Sequence, residues 1–84
     1  MNLKNIQSHL EEAKEELDAI VNQIKKNKDY EYGEFFVAMS HLYHHLNTAW
    51  NSRDASEKEV QECTDQNFKK WRRFPKQDEL IFDD

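Results

Sequence analysis

The 84-residue chain has one glycine, one proline and a formal net charge of −5, with 35% of its residues charged and 37% hydrophobic. The negative charge disfavours a general nucleic-acid binder, while ten Phe, Tyr and Trp residues exceed what disordered chains carry. A chain of this length forms one domain and buries only about 60–65% of its unfolded surface, and the single cysteine, Cys63, rules out an internal disulfide.

Leu3, Ile6, Leu10, Ala13, Leu17, Ile20 and Ile24 step by three and four without interruption, which is the spacing of a helical seam; Val21 widens it. The spacing predicts a first helix over about residues 2–27. Lys25, Lys26 and Lys28 complement its dipole at the carboxyl end. Asn27–Asp29 marks the break, and Asp29 is the expected cap of a second helix over about 30–52. Gly33 weakens that start by about 1 kcal/mol relative to Ala.

In the second helix, Phe35, Met39, Leu42, Leu46 and Ala49 again step by four and three, and Phe36, Tyr43 and Trp50 repeat at seven, one position round. Together they cover a face roughly 140° wide. So wide a face needs partners on two sides, which makes this the expected central helix. A third helix is expected over 56–74, opened by the capping box of Ser56 and Glu59 and ended by Phe74-Pro75. Its inner side carries Val60, Cys63, Thr64, Asn67, Phe68, Trp71 and Phe74, so Cys63 is expected to be a buried, inert thiol. The expected architecture is all-α: a small antiparallel three-helix bundle, up-down-up, over residues 1–76. Residues 77–84 form an acidic tail whose Leu80, Ile81 and Phe82 either dock on the bundle or hang free.

Three features bear on function. His41 and His45 lie one turn apart at the margin of the core face, and Glu16 falls near their level on the facing helix, so a divalent transition metal is one possible ligand. The alternative is that these histidines cover the edge of the apolar face and hydrogen-bond across it. His44 is expected in solvent and His9 against Trp50. The second feature is the basic cluster Lys69, Lys70, Arg72, Arg73 and Lys76 around Trp71 and Phe74. It could hold an anion, but cations at a helix end are also what the dipole favours, and the overall charge is negative.

The third is the aromatic flank Phe36, Tyr43 and Trp50, which one short chain struggles to cover. The expectation is a non-enzymatic helical interaction or assembly module, without cofactor, pairing with a second copy or another protein through these three residues. A metal-binding sensor or small hydrolase at His41, His45 and Glu16 is the alternative, and anion or nucleic-acid binding at Lys69, Lys70, Arg72 and Arg73 the weaker one. With no apolar run approaching a membrane span and no hydrophobic leader, a soluble cytoplasmic protein is expected.

Overall fold

The computed structural model describes residues 1–80 and is all-helical across them: α1 (Leu3–Lys26), α2 (Tyr32–Asn51), α3 (Glu57–Glu62), α4 (Asp65–Trp71) and a single 3-10 turn, Gln77–Glu79. Of the expected docking trio, Leu80 is half-buried, while Ile81 and Phe82 lie outside the described residues. No helix among the described residues is long and apolar enough to cross a membrane.

α1 and α2 form an antiparallel hairpin, closed at its open end by polar contacts. The Asn2 side chain caps α1 by accepting from the Asn5 amide at 3.1 Å. The Asn2 backbone amide donates to the Arg53 carbonyl at 2.6 Å, and its side-chain amide donates to the Ala55 carbonyl at 3.1 Å. Asn5 donates to the Ser52 hydroxyl at 2.9 Å. These bonds join the first turn of α1 to the end of α2 and set the register of the pair. At the other end, Asn27 accepts from the Asp29 amide through its side chain, at 2.9 Å. That turn holds Asp29 outside the helix, so Asp29 does not cap α2. Glu31 occupies the cap position without a side-chain bond, and α2 starts two residues later than expected.

The expected seam of α1 divides in two. Ala13 and Ile20 are 4% exposed and pack with Leu42, Ala38 and Met39, forming the core of the hairpin. Leu10, Leu17 and Ile24, one step round the wheel, remain 45%, 49% and 52% exposed. A seam this wide needs two neighbours, and within the described chain α1 has one.

The expected third helix is two helices. Cys63 takes a left-handed backbone conformation (φ 37°) that ends α3. Thr64 then restarts the chain as the cap of α4, its hydroxyl accepting from the Asn67 amide at 3.2 Å. Thr64 is therefore a cap rather than a core residue, and Cys63 is exposed, not buried. The Ser56–Glu59 capping box forms as the sequence indicates, with both bonds at 3.1 Å. α4 packs on α2 through His44, Asn47 and Asn51, which lie roughly 140–200° round the helix from Leu42. The architecture is thus a two-helix hairpin with α4 on the back of α2, not three helices around one core.

Candidate functional site

The widest feature is an apolar face left open between α1 and α2. Leu3, Leu10, Leu17, Val21 and Ile24 supply its α1 side, and Phe35 and Leu46 supply the α2 side; all are large hydrophobics left exposed. Ile24 and Phe35 line one shallow hollow near the hairpin turn, so the two rows meet along the same side of the pair. Tyr32 and Phe36 continue the strip at that end, their rings 6.1 Å apart.

Of the three expected interface residues, Phe36 is exposed on this strip. Tyr43 is likewise exposed, with its ring 5.2 Å from that of Phe74 at the end of α4. Trp50 is half-buried, with the Arg53 guanidinium 4.0 Å above its ring. Arg53 also donates to the Trp50 carbonyl at 2.7 Å. The strip therefore runs along α1 and along Phe35, Phe36, Tyr43 and Leu46 of α2, with the half-buried Trp50 at its edge. Sequence reasoning missed the α1 contribution because it assigned that whole seam to the interior.

On the opposite edge of the hairpin the histidines sort differently from expectation. His45 does not join His41 and Glu16. Its Nδ1 lies 3.1 Å from Oε2 of Glu12 and 3.4 Å from Nδ1 of His9. His9 thus faces His45, not Trp50, with ring centroids 5.7 Å apart. His41 and His45 lie one turn apart along α2, and with Asn5 opposite Ser52 the level of His45 is Glu12 while that of His41 is Glu16, so each meets a different carboxylate. His41 stays with Glu16 and Glu34 around an open hollow one turn away. His44 is half-buried against Phe68, with ring centroids 5.3 Å apart, rather than solvated.

Burial pushes the His9 pKa below its ordinary value; neighbouring His45 adds to this and Glu12 partly offsets it. Burial likewise lowers His44, helped by His45 and Arg72. Both shifts favour the neutral imidazole, whose unprotonated ring nitrogen offers a lone pair. Nδ1 of His44 is buried without a protein partner.

The basic cluster is built around a carbonyl clasp that the sequence did not announce. Asn47 donates its side-chain amide to the Arg72 carbonyl at 3.1 Å, and Asn51 donates to the carbonyls of Trp71 and Arg73 at 2.8 and 2.6 Å. Two asparagines one turn apart on α2 thereby satisfy the carbonyls left free at the end of α4. They hold Trp71 buried, at 7% exposed. Lys69, Lys70, Arg72 and Arg73 are exposed around it, with the Arg72 guanidinium 5.3 Å from the Phe68 ring. Phe74 is 65% exposed, so only Trp71 of the two aromatics enters the interior.

Comparison with known proteins finds no matching family, no similar curated protein and no similar solved structure. The side chains themselves must carry the functional assignment. Cys63 is a free, exposed thiol at the left-handed junction between α3 and α4. The open face can bury apolar surface against a partner, and the His9–Glu12–His45 cluster can bind a cation.

Proposed function

We propose that this protein is a non-enzymatic helical assembly module that pairs with a second copy of itself through the open face between α1 and α2. The supporting observation is the amount of surface left uncovered. The chain exposes 6992 Å² at a mass of 10.2 kDa, against about 5,300 Å² for a folded monomer of that mass. The last four residues account for at most about 700 Å² of the difference, at the unfolded-chain rate of roughly 1.45 Å² per dalton. About 1,000 Å² remains, and a standard interface covers about 800 Å² per partner.

Two hairpins laid face to face would give four long helices around one core, supplying Leu10, Leu17 and Ile24 with the second neighbour their spacing calls for. A two-fold arrangement is the simplest that closes, because the same patch serves both copies. Mixed charges border the strip on α1, with Lys14 and Lys25 beside Glu11 and Asp18, so a like copy meets no single-sign barrier.

The test is Leu17→Glu, which places a charge at the middle of the strip without touching the buried Ala13–Ile20–Leu42 core. On size-exclusion chromatography at tens of micromolar, the wild type should elute as a dimer and the variant as a folded monomer with unchanged helix content. Arg72→Gln, on the basic cluster, should leave the dimer intact. A wild type that elutes as a monomer, or a Leu17→Glu variant that remains dimeric, would refute pairing through this face.

A further inference from the structure

Three potential ligand atoms converge where α1 and α2 meet on the edge away from the apolar face. His9 and Glu12 sit one turn apart on α1, spacing that points both side chains to the same side, and His45 reaches them from α2. One atom from each lies within 4.8 Å of the others. His45 Nδ1 is 3.4 Å from His9 Nδ1 and 3.1 Å from Glu12 Oε2. Ligands at the usual zinc distances of about 2.0–2.1 Å in a tetrahedron stand about 3.3 Å from one another. Two edges of the triangle therefore already match that separation, and the half-exposed Glu12 side chain has room to adjust the third.

A hydrogen-bond network explains the cluster less well. A hydrogen on His45 Nδ1 serves the Glu12 carboxylate and leaves His9 Nδ1 over. A hydrogen on His9 Nδ1 serves His45 and leaves the carboxylate over, so each such arrangement satisfies only one of the two contacts. With the hydrogens on Nε2, both Nδ1 lone pairs and the carboxylate face one small space, three acceptors and no donor. Such a space attracts a cation.

We propose that His9, Glu12 and His45 bind one zinc(II) ion, with water in the fourth position, clasping α1 to α2. Two imidazoles and a carboxylate form a borderline donor set that suits zinc and its transition-metal neighbours better than calcium or magnesium. Because the ligands come from both helices of the hairpin, the ion binds the folded chain far better than the unfolded one, and so stabilises the fold. The site lies on the other edge of the hairpin from the pairing face, so neither claim depends on the other.

The experiment uses untagged protein stripped with a chelator, then titrated with zinc(II) in competition with a chromophoric chelator, and separately with cobalt(II). The expected result is one ion per chain, held with micromolar or tighter affinity, a visible absorption spectrum typical of four-coordinate cobalt, and a higher unfolding midpoint with zinc. His9→Gln and His45→Gln should each weaken binding at least about tenfold, whereas His41→Gln and Glu16→Gln should leave it unchanged. Proton NMR of the wild type serves even if a variant misfolds: zinc should shift the ring resonances of His9 and His45 and spare those of His41. Absence of saturable zinc binding up to about 100 μM, a stoichiometry below one per chain at saturation, or perturbation at His41 in place of His9 would overturn the assignment.

Discussion

Replacing Asn47 with Ala should loosen α4 before it unfolds the hairpin. Asn47 is 5% exposed and its side-chain amide is the donor to the Arg72 carbonyl. Deleting it forfeits a hydrogen bond with a net value of about 0.5–1.5 kcal/mol and leaves a partly buried carbonyl stranded, at about 1–3 kcal/mol. These costs overlap, so a loss of about 1–3 kcal/mol is expected. Asn51→Ala should cost less, about 1 kcal/mol, because one of its two acceptors lies at the exposed surface. Both asparagines hold adjacent carbonyls of the same segment, so the double variant should lose less than the sum. Asn47→Asp is the sharper probe, since it keeps the size but presents carboxylate oxygens to a carbonyl, and should be worse than Ala. Urea denaturation gives the free energies, and hydrogen exchange at Phe68–Arg72 tells local opening from global unfolding. Losses below about 0.5 kcal/mol for both Ala variants, with α4 exchange unchanged, would show that the clasp does not hold α4.

Leu42, 8% exposed at the centre of the hairpin core, should cost about 2–5 kcal/mol when changed to Ala, measured by chemical denaturation. Gly33→Ala should stabilise by up to about 1 kcal/mol, because an added methyl at this helical position meets nothing within 4 Å. For a chain of this size, that corresponds to a rise of about 4–8 °C in Tm. The backbone amide of Ser56, joined by its hydroxyl, holds the Glu59 carboxyl below its usual value. Glu59 in the folded chain should therefore titrate below an ordinary glutamate when followed by NMR. A carboxyl lowered by folding stabilises above its unfolded pKa, so this capping contribution should disappear as pH falls through the folded value, and Glu59→Gln should remove that pH dependence.

Much of the local structure was legible because its causes are local. The three-and-four spacing of α1, the wide face of α2 and the Ser56–Glu59 box each lie within a few turns of chain. The apolar period runs on through Cys63 and Thr64 and so hides the break between α3 and α4, although Thr64 followed by Asp65 and Asn67 is also a cap signal. Asp29 has the residue type of a cap, and nothing short of the loop itself shows that Asn27 claims its amide. The long-range features were the least legible. Which residue of α1 faces His45 depends on the hairpin register, fixed by Asn2 and Asn5 at the far end. Neither the asparagine clasp on α4 nor the partner of His45 has a signature in adjacent sequence. Periodicity also could not tell that Leu10, Leu17 and Ile24 would be left uncovered, because a pattern identifies an apolar face without saying what covers it.

Sedimentation equilibrium of the untagged wild type, from about 1 to 100 μM, tests self-pairing most directly. Pairing through the open face predicts twice the chain mass of 10.2 kDa across most of that range, dissociating only toward its dilute end, as expected for an affinity in the micromolar range or better. A single-chain mass maintained up to about 100 μM would contradict it and leave the exposed leucines of α1 without the partner proposed for them.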